Sequence, residues 1–215
     1  MSKKILITGG GGQLGLSLYF SIKDIFDVFN TSKKESKHSI QLDVSCSKSV
    51  QNIIEKINPE VIINCASYNS VDQAELNRKE AREIIVKGLD NLVKHSNKDT
   101  KIIQISSDYI YNGDKTKYSE KDIPNPLNYY GKLKHEAENL LIASKKKCAI
   151  LRCNVIFSHY INNESNFFAW VYNNLKKDNQ INVVNDQVSN PVPAELVCEA
   201  IQAIILLNRY FLLSP

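Results

Sequence analysis

Short, unbroken apolar runs alternate with segments of helical periodicity along most of the chain. Ile5-Leu6-Ile7, Val61-Ile62-Ile63 and Ile102-Ile103 are continuous and rich in β-branched residues, the pattern of strands covered on both faces. The expected strands are Lys4–Thr8, Asp27–Thr31, Ile40–Leu42, Val61–Asn64, Lys101–Ser106 and Ala149–Arg152. A 3.6-residue period predicts helices over Gln13–Ile25, Ser47–Ile57, Arg78–Ser96 and Tyr129–Lys145, with Pro59 ending one before the next strand begins. Further on, a helix over Phe167–Lys177, a strand over Ile181–Val184 and a helix over Ala194–Leu207 are expected. Strand and helix in alternation imply crossover connections, so the fold class is α/β with a doubly wound parallel sheet. The stretch Asp108–Leu127 contains Gly113, Pro124 and Pro126 and has no period. It reads as a long loop, and loops of that length in a compact domain usually carry function.

Composition narrows the class without naming it. At 215 residues, with 43% hydrophobic and 23% charged positions, the chain has the balance of an ordinary globular protein. The 27 Lys and Arg exceed the 23 Asp and Glu by four, too few to imply nucleic acid or a membrane surface as partner. Five cysteines (Cys46, Cys65, Cys148, Cys153, Cys198) include no Cys-x-x-Cys pair and read as reduced thiols of a cytoplasmic protein. The first strand begins too early to leave room for a signal peptide, and no apolar run approaches the roughly 20 residues of a membrane span. His38, His95, His135 and His159 have no partners at metal-ligand spacing, so no metal is expected.

Chemistry enters at Thr8-Gly9-Gly10-Gly11-Gly12-Gln13-Leu14-Gly15, a glycine turn directly after a strand and opening a helix. In Gly-x-x-Gly-x-x-Gly, Gly9 permits the tight turn, Gly12 lets backbone N–H groups approach a pyrophosphate, and Gly15 lets the helix lie on the strand. Phosphates then rest on a helix N-terminus, which favours anions. This points to a dinucleotide and to a Rossmann-type domain over residues 1–155, with an incomplete substrate lobe over residues 156–215. Strand two ends in Asn30-Thr31-Ser32-Lys33-Lys34 with no carboxylate before Glu35. An acidic residue there would hold an NAD ribose; Ser32 and Lys33 instead suit a 2′-phosphate, favouring NADP(H) over NAD(H). In Leu42-Asp43-Val44, Asp43 accepts from an adenine amino group or belongs to the N-terminus of the next helix, two readings of equal weight.

Tyr130 and Lys134 are four residues apart and share one helical face. A free phenol has a pKa of about 10; a nearby ammonium stabilises the phenolate and makes tyrosine a useful acid at neutral pH. Ser107, at the end of a strand in Ser106-Ser107-Asp108, would hydrogen-bond a reacting carbonyl oxygen. His135 reads as a half-exposed helix residue, and Trp170 and Tyr172 as packing.

The combination Thr-Gly-x-x-Gly-x-x-Gly and Tyr-x-x-x-Lys resembles the extended short-chain dehydrogenase/reductase family. Further segments carry the likeness over nearly the whole chain: 59–68 with Val71-Asp72-Gln73-Ala74-Glu75, 106–113, Tyr118-Ser119-Glu120, Pro126-Leu127-Asn128, and Asp186-Gln187 before Pro191. Within the family the chain is most similar to reductases of nucleotide-linked sugars. The resemblance implies Ser107, Tyr130 and Lys134 as catalytic trio. It places the cofactor along Gly9, Gly12, Gln13, Leu14, Gly15, Ser32, Lys33, Asp43, Val44, Ala66, Ser67, Tyr130 and Lys134. The substrate would meet Ser107, Asp108, Arg152, Asn154 and Gln187. The implied reaction is NADPH-dependent reduction of a 4-keto-6-deoxy sugar on a nucleoside diphosphate, for polysaccharide precursors; a homodimer is compatible with it. An epimerase or dehydratase of the same family, and a non-catalytic NADP-binding regulatory subunit, are the alternatives. Four positions depart from the family pattern: Ile85 for asparagine, Ser107 for threonine, Val155 for tryptophan and Val192 for threonine. Residues 210–215 resemble the last sheet-level strand, so the lobe over the substrate is expected to be short.

Overall fold

A computed structural model describes residues 2–158, 167–185, 188–207 and 212–213. Seven parallel strands form one sheet. They are β1 (Lys4–Thr8), β2 (Asp27–Ser32), β3 (Ile40–Gln41), β4 (Val61–Asn64), β5 (Lys101–Ser107), β6 (Cys148–Cys153) and, far along the chain, Leu212–Leu213. The order is β3-β2-β1-β4-β5-β6 with Leu212–Leu213 outermost. The chain therefore starts in the middle, winds one way to β3, returns past β1 and winds the other way, which opens a crevice at the strands' carboxyl ends beside β1 and β4.

Alternation along the strands explains the two layers. Ile5, Ile7, Val61, Ile63, Ile103 and Leu151 face one core with α1 (Gln13–Ile22) and a late helix, Ala194–Leu206. Leu6, Ile62, Ile102 and Ile150 face the other with α2 (Ser47–Ile57), Gly88–His95 and Tyr129–Ala143. Both faces are apolar because both are covered, so the runs read as continuous.

Between β4 and β5 the chain forms α3 (Val71–Leu76), α4 (Arg78–Arg82), a π-helical turn over Glu83–Lys87 and α5 (Gly88–His95). The single helix expected over Arg78–Ser96 is thus interrupted by a wide turn. Ile85, in that turn, is 2% exposed and lies in the second core. α3 is too short to show a period; Ser70 Oγ caps it by accepting from the Gln73 N–H at 3.3 Å. After β5 comes a 3₁₀ turn, Asp108–Ile110, then loop to α6 (Tyr129–Ala143).

The strand expected over Ile181–Val184 is not formed. Its β-branched residues find no neighbouring strand among the described residues, and Val183 and Val184 are exposed. The pairing in this region is instead β7 (Ile156–Phe157) with β8 (Val192–Pro193), two residues each. α7 (Phe167–Leu175) and α8 (Ala194–Leu206) follow the expected helices, and β9 (Leu212–Leu213) pairs in parallel with β6. No helix among the described residues is long and apolar enough to cross a membrane.

Candidate active site

The crevice is built first by the glycine turn. Gly9 has φ +68°, and a methyl group on it would lie 2.6 Å from the Ala66 nitrogen. β1 and β4 therefore approach at the crevice floor as only glycine allows. A methyl group on Gly15 would lie 2.5 Å from the Gly9 carbonyl oxygen, so α1 is seated directly on the turn. Gly12 is the N-cap of α1; no side chain caps it and no acid stands in its first turn. That leaves an open, positive helix end over a backbone-lined floor, which fits a pyrophosphate. Leu14 packs in the core with only 7% exposure, and Gln13 Oε1 accepts from the Ser158 N–H at 3.1 Å, tying the turn to the segment after β7.

Beyond β2 the two residues expected at a 2′-phosphate part company. Ser32 is 9% exposed; its hydroxyl donates to the Lys34 carbonyl and shares a hydrogen bond with Ser39 Oγ. The Ser32 hydroxyl is thus held within the strand-end turn. Lys33 remains outside, with Nζ 3.9 Å from Asp43 Oδ2. Asp43 does not cap α2, whose N-cap is Cys46. Its Oδ1 accepts from the Ser45 N–H at 2.9 Å and the Ser45 hydroxyl at 2.6 Å, an Asx turn that aims the remaining oxygen at the same rim as Lys33. The Val44 carbonyl accepts from Asn91 Nδ2 at 2.9 Å, while its side chain lies in the second core.

Across the crevice, Asn128 caps α6 by accepting from the Gly131 N–H at 2.7 Å. Tyr130, in the first turn, is half-buried, and one turn on Lys134 is 3% exposed. The Lys134 ammonium lies 5.7 Å from the Tyr130 ring centre, donates to the Ile105 carbonyl at 2.8 Å and reaches Ser67 Oγ at 3.5 Å. Ser67 and the neighbouring Ala66, just past β4, are thus gathered with the lysine beside the glycine turn. A methyl group on Gly131 would lie 2.1 Å from the Tyr109 carbonyl oxygen. This close approach seats the 3₁₀ turn on α6 and brings the Tyr109 ring edge-on to Tyr130, centres 5.9 Å apart.

Ser107 ends β5 nearly buried, its hydroxyl donating to Asp108 Oδ1 at 3.0 Å. Burial pushes the Asp108 carboxyl above the usual range, opposed by the Ser107 hydroxyl and nearby N–H groups. Burial also raises the Tyr109 phenol, with Asp108, Tyr130 and Asp72 adding to the effect. The neighbouring thiols are poor nucleophiles: burial pushes Cys153 up to about 11 and Cys65 higher still.

The remaining substrate residues are less simply placed. Arg152, expected beside nicotinamide or sugar, is 6% exposed and belongs to a buried network. Nη2 and Nε bind Glu138 at 2.8 and 3.1 Å, and Nη1 donates to the Tyr111 hydroxyl at 2.7 Å. A guanidinium so engaged joins β6, α6 and the loop beyond β5. Asn154 sits past the end of β6, its Oδ1 accepting from Ser189 Oγ at 2.9 Å, which ties it to the segment before β8. Gln187 lies outside the described residues. Val155 is exposed and Val192 lies in β8. Two members of the site escaped the motif reading: Gly131 and the Ile105 carbonyl. Gly131 was visible between Tyr130 and Lys134, but a backbone carbonyl has no signature in sequence.

The doubly wound sheet thus carries a glycine-floored helix end on one side of its crevice and a tyrosine–lysine pair on the other. The family described as RmlD substrate binding domain matches residues 3–209, and the chain belongs to it. Over 87% of its length the chain is 38% identical to the dTDP-4-dehydrorhamnose reductase of Aggregatibacter actinomycetemcomitans, of which it spans 62%. The solved dTDP-4-dehydrorhamnose reductase of Bacillus anthracis str. Ames, in complex with NADP, superposes with a TM-score of 0.91 at 31% identity, covering 100% of this chain and 74% of that one. The methionine adenosyltransferase 2 subunit beta of Bos taurus is 33% identical over 73% of this chain and 48% of its own length. The resemblance drawn from the motifs is borne out. The chain is also shorter than these relatives, spanning less than two thirds of the Aggregatibacter reductase.

Proposed function

We propose that this chain binds NADPH and reduces the 4-keto group of a 6-deoxy sugar carried on a nucleoside diphosphate, in the manner named for its reductase relatives. The observation that carries the reading is Lys134, held 2.8 Å from the Ile105 carbonyl, 3.5 Å from Ser67 and under the Tyr130 ring. An ammonium so nearly buried beside Ser67 and the Tyr130 ring suits ribose hydroxyls and a neighbouring phenol. When bound, the reduced nicotinamide supplies a hydride to C4. Tyr130 gives its phenol proton to the carbonyl oxygen, so that ketone becomes alcohol and the phenolate is reprotonated from solvent. Ser107 donates to the same oxygen once its hydroxyl turns from Asp108, and Asp108 lies within reach of the sugar. Lys33 and Asp43 meet the adenosine end, Lys33 favouring the phosphate of NADPH. The reading includes a cytoplasmic location, where five unpaired cysteines stay reduced, and it accommodates a homodimer.

Following NADPH absorbance with dTDP-4-keto-6-deoxy sugar tests the reaction. Tyr130→Phe is expected to lower turnover by roughly a hundredfold or more with NADPH affinity unchanged; undiminished turnover removes Tyr130 from the mechanism. A second reading rests on the likeness to the methionine adenosyltransferase beta subunit: a cofactor-binding regulatory protein without turnover. Tight NADPH binding with no sugar reduction by the wild type would decide for it. An epimerase or dehydratase would instead convert a nucleotide sugar with no net NADPH consumption.

A further inference from the structure

A buried polar chain crosses the sheet beneath the site and joins the glycine turn to the lysine. Thr8, the last residue before the turn, donates its hydroxyl to Asn64 Oδ1 at 2.5 Å. Asn64 Nδ2 donates to Gln104 Oε1 at 2.7 Å, and Gln104 Nε2 donates to the Ile105 carbonyl at 2.8 Å. That carbonyl is the one that holds Lys134 Nζ, also at 2.8 Å. Thr8, Asn64 and Gln104 stand side by side in register on β1, β4 and β5. None of the four side chains is more than 3% exposed.

The preceding register row, Ile7, Ile63 and Ile103, is wholly apolar. Two amides in the next row carry a desolvation cost that only complete hydrogen bonding offsets. Completeness alone would be met by a pair closed upon itself. This chain is directional: hydroxyl to amide, amide to amide, amide to carbonyl. A carbonyl oxygen has two lone pairs, and here Gln104 takes one and Lys134 the other.

We propose that Gln104 is a positioning residue for Lys134. By occupying one lone pair of the Ile105 oxygen, it fixes the direction from which the ammonium approaches the other. It also limits how strongly the carbonyl holds the ammonium, leaving Nζ free to serve a cofactor ribose. Through Asn64 and Thr8 the same chain keeps the lysine in register with the glycine turn, so both ends of a dinucleotide site move as one piece. The inference rests on the proposed role of Lys134 at the cofactor.

A double-mutant cycle on NADPH affinity, measured by cofactor fluorescence without sugar, tests it. The proteins are wild type, Gln104→Met, Lys134→Met and the double variant, each with its melting curve. Gln104→Met is expected to weaken NADPH binding roughly fivefold or more when Lys134 is present, and by less than about twofold when it is methionine. A merely structural glutamine would weaken both backgrounds equally, and that result, or no weakening at all, overturns the proposal. Should methionine at 104 prevent folding, Gln104→Glu enters the same cycle under the same criteria. It keeps an acceptor for Asn64 and removes the donor to Ile105. Undiminished affinity in Lys134→Met overturns the cofactor role of the lysine and the proposal with it. A loss there that is not coupled to position 104 overturns the proposal alone.

Discussion

Ser32 and Lys33 are neighbours in sequence but offer a ligand different things. The Ser32 hydroxyl is committed to Lys34 and Ser39, whereas the Lys33 side chain is 63% exposed and lies 3.9 Å from Asp43 Oδ2. On the proposed reading, Lys33 is the residue expected to discriminate between the two nicotinamide dinucleotides. Lys33→Ala is expected to weaken NADPH roughly five- to tenfold, the scale of one charge-assisted contact at a wet rim, and to leave NADH affinity unchanged. Ser32→Ala should leave the ratio of the two unaltered. Paired titrations of both variants with both dinucleotides check this, and an unchanged ratio in Lys33→Ala counts against a phosphate at that rim. Asp108 offers a second residue-scale test, this one in pH. Burial raises its folded-state pKa, so the folded protein holds this proton over a range where the unfolded chain has released it. Stability from this group is present below the unfolded value, about 4, and is lost as pH rises through the folded value. Asp108→Asn keeps an acceptor for Ser107 and abolishes the charge. Its melting temperature should exceed that of wild type at neutral pH, with the difference closing below about pH 4.

Among the elements, α6 does the most joining. One face carries Tyr130, Lys134 and Glu138 at four-residue spacing, toward the crevice at one end and into β6 at the other. Glu138 and Arg152 are paired at 2.8 Å with side chains 2% and 5% exposed. Arg152 passes the contact on to Tyr111, whose hydroxyl donates to the Ser119 carbonyl at 2.9 Å and whose ring stacks on Tyr118 at 4.2 Å. The loop after β5 is thereby pinned to the helix of the proposed proton donor. Breaking one partner of a buried pair leaves an uncompensated charge, so Arg152→Met should cost about 3–5 kcal/mol in denaturant melts. Arg152→Met with Glu138→Leu should recover much of that. A loss of under about 1 kcal/mol in the single variant would mean water reaches the pair. This network also marks where the sequence stopped being informative. β1, β4 and β5 were legible because doubly covered parallel strands are unbroken β-branched runs, and the glycine turn and Tyr130–Lys134 because their partners lie within one turn. The buried partner of Arg152 had no sign in the sequence, because Glu138 is fourteen positions away on a different element, where spacing says nothing. α3 and the β7–β8 pair are shorter than any period, and Ile181–Val184 has a strand's composition but no described strand beside it.

The whole molecule is more unified than a boundary at residue 155 suggests. Val197, Cys198, Ile201, Ile204 and Ile205 of α8 lie in the same core as Ile5, Ile7, Ile63, Ile103 and Leu151. α8 therefore covers one face of the sheet that forms the crevice. Its last turn is held by two lysines from the starts of the chain and of β5. Lys3 Nζ donates to the Ile205 carbonyl at 3.2 Å and Lys101 Nζ to the Ile204 carbonyl at 2.9 Å, cations where the helix dipole favours them. Lys101 is 5% exposed, and burial together with Lys3 lowers its pKa, a cost accepted for closing that helix end. Beyond α8, β9 lengthens the sheet at β6. If the dinucleotide half were self-sufficient, residues 1–155 would melt cooperatively and bind NADPH. The shared core argues that they cannot: removing α8 uncovers the apolar row Ile5, Ile7, Ile63 and Ile103, each at most marginally exposed in the full chain. The 1–155 fragment is expected to bind a hydrophobic dye and to lack a cooperative transition. Ile201→Ala in the full chain should cost about 2–5 kcal/mol while leaving NADPH affinity intact, because the cavity opens on the side of the sheet away from α6. A fragment that melts sharply and holds NADPH as tightly as the full chain would show that α8 is an accessory, and the C-terminal segment would then be concerned with substrate alone.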